Sequence, residues 1–313
     1  MISSSRRDAL LDKYPLRSGF ARVRIGGAQV HCCSFARAVD AITRHALLNP
    51  WPVCVVTANA QHIVLLETDS NLREAYSHAD LVVADGASLV FASRLLGQQL
   101  PERIAGVDLF ERLCAKAAEV GLRVFLLGGR PGSAHLAAEK LKRRFPRLTV
   151  AGTCCPGLGF EQDGRELYAV RGAIRRSRPD LVFVALGAPK QECWMERYGR
   201  SSGARVLIGV GGSFEILAGV FPRAPRFLQR IGWEWFYRLL LEPRRLWKRY
   251  LIGNCRFIGI VLRQVARRTS PIRIQPFKLP RIEKCGRSEI DERSSGIANH
   301  QGGSHRCGPS TCR

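Results

Sequence analysis

The sequence predicts an α/β fold: a mainly parallel sheet with helices on both faces, followed by a basic C-terminal helical appendage. Three observations carry this. From residue 53 onward, short runs rich in Val, Leu and Ile alternate with stretches of helical spacing, the β-α alternation of a parallel sheet. Those runs lack polar alternation, so both faces of their strands are expected to be buried. Near Pro222 the composition turns basic and aromatic. A chain of 313 residues, 46% hydrophobic, is long enough for a sizeable core.

Residues 1–20 are mixed in composition and are expected to be ordered only in part. Residues 22–30, RVRIGGAQV, read as an edge strand or hairpin. A strand follows at 53–56, then a helix at 60–77 with Ile63, Leu66 and Leu72 at helical spacing. Next come a strand at 81–84, helices at 87–96 and 107–120, and a strand at 124–127. A helix at 133–145 should turn Leu136, Leu141 and Phe145 inward. The core closes with a strand at 148–151, a helix at 165–176 and strands at 181–186 and 206–210. From residue 222 to 273 there are thirteen basic residues against Glu234 and Glu242, with three of the five tryptophans, Trp233, Trp235 and Trp247. Leu228, Ile231, Trp235 and Leu239 fall on one helical face, and Pro243 suits the start of a new helix. After Thr269 the apolar periodicity ends in a Pro-, Gly-, Ser- and Arg-rich tail. The expected organisation is an N-terminal segment (1–20), an α/β core (21–221), a basic aromatic helical appendage (222–268) and a disordered tail (269–313).

Lys plus Arg number 49 against 26 acidic residues, a net charge of +23, which calls for an anionic partner: nucleic acid, acidic lipid or a phosphorylated substrate. The eleven cysteines include the adjacent pairs Cys32–Cys33 and Cys154–Cys155 but no CxxC, so reduced thiols are expected rather than disulfides or zinc. The first residues lack an apolar signal-peptide core, and no run reaches the ~18 apolar residues of a membrane span. A protein that stays inside the cell is the reading this favours.

Four apolar runs end in polar or glycine-rich residues: Thr57 and Asn59, Asp85 and Gly86, Gly128 and Gly129, and the GAPKQE block from Gly187 to Glu192. Ligands of open α/β sheets bind beyond the carboxyl ends of the strands, so these ends suggest one site. Asp85 suits a general base or, equally, a helix cap. Asp80, at the opposite end of its strand, reads as structural, and Asp108 as a cap for the helix it begins. The loop from Gly128 to Ser133 opens a helix, a place for a phosphate or simply a tight turn. Lys190 and Gln191 should point to the sheet edge, where an amide offers both donor and acceptor. Arginines of the appendage can bind a diphosphate. No HExxH, DxD or His pair at ligand spacing occurs, so no metal or other cofactor is expected.

The ordered blocks TANAQHIV, ADLVVADG, RIAGVDLF, VFLLGGRPG, PDLVFVALGAPKQE, IGVGGSFEILAG, PRAPRF and WEWFYRLLLEPRRLWKRY resemble the WecG/TagA/CpsF family of bacterial glycosyltransferases (glycosyltransferase family 26) over residues 53–250. Ala84 departs from the proline that often precedes the aspartate in that family. The resemblance implies a Rossmann-like core and inverting transfer of a sugar from a UDP-sugar donor to a polyprenyl-diphosphate-linked acceptor, in cell-surface polysaccharide synthesis and without a bound metal. The sugar would be N-acetylmannosamine-type, its uronic acid or a hexose. It implies Asp85 as base, Thr57, Asn59 and Gln191 as pocket residues, and Arg238, Arg245 and Arg249 as appendage arginines completing the site on an anionic membrane. A homo-oligomer is compatible with all this. Two rivals remain. A nucleotide-dependent oxidoreductase would need a GxGxxG and a ribose-binding acid, and a nucleic-acid-binding protein would show a helix-turn-helix, RRM or zinc pattern; none is visible.

Overall fold

The computed structural model describes Leu16, residues 19–230 and residues 232–267; the side chains of Arg230, Arg245, Lys248 and Arg249 lie outside that description. The tail beyond 267, and Cys307 and Cys312 with it, also falls outside it.

Six strands form one wholly parallel sheet: β3 (Val53–Ala58), β4 (Leu81–Ala84), β5 (Arg123–Gly128), β6 (Thr149–Cys154), β7 (Leu181–Ala185) and β8 (Val206–Gly209), ordered β4-β3-β8-β7-β5-β6. Alternate residues of each strand enter two separate cores. Cys54, Val56, Val82, Leu127, Val184 and Leu207 join one; Val53, Val55, Val83, Leu126, Phe183 and Ile208 join the other. That is the two-sided burial expected of unbroken apolar strands. The second face is covered by α1 (Phe35–Leu48), α5 (Gly106–Val120), α6 (Ser133–Arg144) and α9 (Ser213–Leu217). The first is covered mainly by α2 (Ala60–Leu65), α3 (Ser70–His78), α7 (Gly164–Ser177) and α8 (Lys190–Arg197), with α4 (Ala87–Leu95) beside them.

Residues 22–30 form a hairpin, β1 (Arg22–Ile25) with β2 (Ala28–His31). It covers edge strand β4: the Nδ1 of His31 accepts the Val82 N–H at 2.9 Å, so that edge does not offer this donor to another chain. Helix α1 was not anticipated, although Ser34 caps it and Ala38, Val39, Ile42 and Ala46 supply its buried stripe. The expected single helix at 60–77 is broken, because Asp69 turns its carboxylate onto the Leu72 N–H at 3.0 Å and starts α3 anew. Leu136 does not face inward but is 43% exposed, with Ala134, Ala137, Ala138 and Leu141 forming the buried face of α6 instead. β6 begins later and runs further than expected, to Cys154, with a bulge opposite Val124 and Phe125.

The appendage is helical but not one unit. The face expected from Leu228 to Leu239 is interrupted: α10 (Arg226–Arg230) and α11 (Glu234–Leu241) are separated by Gly232 at φ +79°, and Ile231 lies outside the described residues. α12 (Pro243–Ala266) starts with Pro243 in its first turn. Its far half belongs to the core: Phe257, Ile260 and Val261 are buried with Ile63 and Leu66. Gln264 also brackets the hairpin turn, accepting the Gly26 N–H and donating to the Arg24 carbonyl, both at 2.8 Å. A chain ended near Gly219, which the alternation alone would allow to fold, loses this packing. At about 1.5–3 kcal/mol per large buried apolar side chain, such a truncation is expected to be markedly destabilised. Cys54 and Cys114 are buried, and the Cys54 thiol donates to the Met195 carbonyl at 3.7 Å.

Candidate active site

All six strands of the sheet deliver residues to one cleft of about 1500 Å³ at their carboxyl ends. Thr57 and Asn59 follow β3, Asp85 follows β4, and Gly129 follows β5. Cys155 follows β6, Gly187 and Gln191 follow β7, and Gly211 and Gly212 follow β8. The convergence inferred from four strand ends is therefore present, at the place where open α/β sheets bind ligands.

Asp85 sits on the cleft floor. Its Oδ1 accepts the Gly106 N–H at 2.9 Å, so it does cap a helix, but α5 rather than the adjoining α4. Oδ2 has no hydrogen-bond partner among the described residues. Burial raises the Asp85 carboxyl above the usual carboxylate range, against the pull of the Arg103 guanidinium and the Gly106 N–H. A carboxylate with one oxygen anchored, one open and a raised proton affinity is equipped to take a proton from a bound hydroxyl.

Arg103, which carried no sequence signal, holds the floor to the appendage. Its Nε donates to the Asp85 carbonyl at 2.6 Å, its Nη1 to the Gln229 carbonyl at 3.4 Å, and its Nη2 to the Glu234 carboxylate. Only its place in RIAGVDLF, between two strand-end blocks, could have flagged it. Arg130 makes a parallel link, its Nη2 donating to Glu242 at 2.7 Å while its guanidinium lies 4.7 Å from the Phe221 ring centre.

The pocket residues are held individually. Thr57 donates its hydroxyl to the Gly209 carbonyl at 2.7 Å. Asn59 Oδ1 accepts the Gln61 N–H at 3.0 Å. Gln191 is 2% exposed; its Oε1 accepts the Gly211 N–H at 3.1 Å and its Nε2 donates to Glu192 at 2.7 Å. Arg238 lines the cleft against the turn after β8, where a Cβ on Gly212 would fall 2.8 Å from its guanidinium. Glycine there is what lets the arginine approach.

Three expectations fare differently. Lys190 is exposed and does not line the cleft. Gly128 lies behind it: with φ +96° and backbone of Ala185 2.8 Å from any added Cβ, it shapes the turn. The loop is a poor phosphate cradle, since Gly129 N–H is spent on the Ala185 carbonyl at 2.9 Å and Arg130 N–H on Glu215 at 2.8 Å. Positive charge in the cleft comes from Arg103, Arg130 and Arg238 instead. Arg245 and Arg249 lie on α12 with side chains outside the description. Away from the floor, Asp80 is structural, accepting the Cys54 N–H at 2.9 Å and an Arg200 N–H at 3.1 Å. Asp108 does not cap α5 but pairs with Arg223 at 2.6 Å. Among the described residues, no group of three or more His, Cys, Asp or Glu side chains is placed to hold a metal ion.

The family described as Glycosyl transferase WecG/TagA/CpsF family matches residues 23–271. An N-acetylglucosaminyldiphosphoundecaprenol N-acetyl-beta-D-mannosaminyltransferase of Bacillus spizizenii (strain W23) is 39% identical over 197 residues, 63% of this chain and 74% of the relative. Proteins of the same name from Bacillus subtilis (strain 168) and Staphylococcus aureus (strain MRSA252) are 35% and 33% identical, over 68% and 80% of this chain and 80% and 94% of theirs. With the family match spanning most of the chain and agreeing with the strand-end cleft, the protein belongs to the WecG/TagA/CpsF family and is a glycosyltransferase.

Proposed function

We propose that the chain transfers N-acetylmannosamine from a UDP donor to a polyprenyl-diphosphate-linked N-acetylglucosamine, with inversion. The observation that carries this is Asp85: one open, proton-hungry carboxylate oxygen on the floor of a cleft large enough for two substrates. Inversion is a single displacement. The acceptor hydroxyl oxygen bonds to the anomeric carbon, its proton passes to Asp85 Oδ2, and the bond from that carbon to the UDP oxygen breaks. Charge then grows on the departing diphosphate, where Arg238 supplies a guanidinium. The names of the relatives support the sugar and the acceptor.

A lipid-linked acceptor needs the cleft at a membrane. Among the described residues no helix is long and apolar enough to cross one. The appendage instead exposes Trp233, Trp235, Trp247, Leu240, Leu251, Ile252, Ile258 and Leu262 beside its arginines. That combination suits peripheral binding to an anionic surface, each nearby cation contributing about 1 kcal/mol. Lipid attraction is spread over many cations, whereas diphosphate contact is local. Replacing Arg238 and Arg245 together by Gln should therefore lower transfer far more than binding to anionic vesicles; equal losses would make both arginines membrane contacts only.

The reading is tested with purified protein, a panel of UDP-sugars and a short-chain polyprenyl-diphosphate N-acetylglucosamine, followed by mass spectrometry. Addition of one N-acetylhexosamine from UDP-N-acetylmannosamine is expected; transfer of another sugar alone would overturn the donor assignment. Because the leaving diphosphate is assigned to arginine, activity should survive exhaustive EDTA treatment. Loss on treatment with recovery in Mg²⁺ or Mn²⁺ would contradict that assignment.

A further inference from the structure

A second pair of ionisable side chains lies at the wall of the cleft, His62 lining it near Asp85 and Glu192 behind it. His62 and Glu192 are 2% and 1% exposed, and the Nε2 of His62 is 3.1 Å from Glu192 Oε1. His62 Nδ1 accepts the Asn59 backbone N–H at 3.2 Å, so it carries a lone pair and the ring proton sits on Nε2, facing the carboxylate. The same Glu192 Oε1 accepts Nε2 of Gln191, which fixes that amide so that its Oε1 takes the Gly211 N–H. One buried oxygen thus joins three strand-end blocks: Asn59 after β3, Gln191 after β7 and Gly211 after β8. Asn59, His62 and Gln191 line the cleft, whereas Glu192 does not.

The arrangement is expensive. Glu192 Oε2 is buried with no hydrogen-bond partner among the described residues, and so is the hydroxyl of Tyr76, whose ring lies 6.0 Å from that of His62. A core built only for stability would not retain a carboxylate on such terms. We propose that His62 and Glu192 are positioning residues of the transferase site, setting the orientation of Asn59 and Gln191 toward the donor through the shared oxygen Glu192 Oε1. This rests on the transfer reading above.

The chemistry separates the variants. Glu192→Leu keeps the bulk and removes the acceptor. Glu192→Gln keeps an oxygen for both donors. His62→Asn keeps an acceptor for the Asn59 N–H but no longer reaches Glu192. Transfer kinetics and Tm are measured for each, alone and with Gln191→Ala. Glu192→Leu and His62→Asn should each lower kcat/KM by about tenfold or more, while Glu192→Gln stays within about threefold of wild type. On the Gln191→Ala background, Glu192→Leu should lower Tm as before yet remove less activity than it does alone, only the part carried through His62 and Asn59. A folded Glu192→Leu with wild-type kcat/KM, or losses that simply multiply with Gln191→Ala, would overturn the proposal. If Glu192→Leu does not fold, Glu192→Met is measured in its place with the same outcomes. Wild-type protein that transfers no sugar overturns the transfer reading and this proposal with it; active wild type with indifferent variants overturns this proposal alone.

Discussion

Asp85→Asn is expected to lower transfer by about 10²–10⁴-fold, the range for loss of a general base, while UDP still binds. The amide keeps an oxygen for the Gly106 N–H, so α5 stays capped, but Oδ2 becomes a group that cannot accept the acceptor proton. The pH dependence has a definite sign. Burial raises the Asp85 carboxyl above its ordinary value, and only the ionised form is a base. Transfer should therefore rise with pH through a limb above the usual carboxylate range, and Asp85→Asn should abolish that limb. Stability runs the other way. The folded state holds this proton more tightly than the unfolded chain, so the stabilisation is present below the unfolded pKa and is lost as pH rises through the folded one. Above the folded pKa the ionised carboxylate is a charge that burial disfavours, and there Asp85→Asn should melt no lower than wild type. Near-normal turnover by a folded Asp85→Asn protein would remove Asp85 from the mechanism.

Arg103→Met should cost both stability and rate. It removes the guanidinium that joins the Asp85 carbonyl, the Gln229 carbonyl and Glu234, and leaves Glu234 mostly buried without its cation. Loss of one partner of a largely buried pair costs on the order of 2–4 kcal/mol. The companion change Glu234→Gln should recover much of that loss. It should not recover transfer, because the floor beneath Asp85 and the seat of α11, which carries Arg238, remain untied. Arg103→Lys should rescue poorly, since an ammonium cannot present three donors in a fixed fork. Full recovery of transfer in the double variant would show that Arg103 serves only to neutralise Glu234. Melting temperature and kcat/KM measured on all three proteins decide it.

The sheet was legible because a parallel strand buried on both faces must be apolar along its buried length; β4, β7 and β8 are apolar throughout, β3 but for Thr57 and β5 but for the exposed Arg123. β6 was placed less well because it is an edge strand, only half-buried and carrying Gly152 and Thr153. Strand ends were legible for a related reason: a polar or glycine residue closing an apolar run has few uses besides a turn or a site. What tertiary packing decides was not. Arg103, Glu234 and Glu242 had no legible role, because a sequence does not say that Arg103 and Arg130 reach across to the appendage. The loop at Gly129 could be read equally as a phosphate site or a tight turn, because Glu215, 85 residues after Arg130, gives no local hint that it takes the Arg130 N–H. The docking of α12 into the core was not legible in the basic aromatic appendage, since its buried Phe257, Ile260 and Val261 are interleaved with exposed Ile258 and Leu262.

The most direct test of the central claim is one transfer assay run on wild type and Asp85→Asn, with UDP-N-acetylmannosamine and polyprenyl-diphosphate N-acetylglucosamine, followed by mass spectrometry of the lipid product and determination of its anomeric configuration. Wild type is expected to give a single added N-acetylhexosamine in the inverted configuration and Asp85→Asn essentially none, both proteins binding UDP. A product of retained configuration, or an equal yield from the two proteins, would contradict inverting transfer with Asp85 as base.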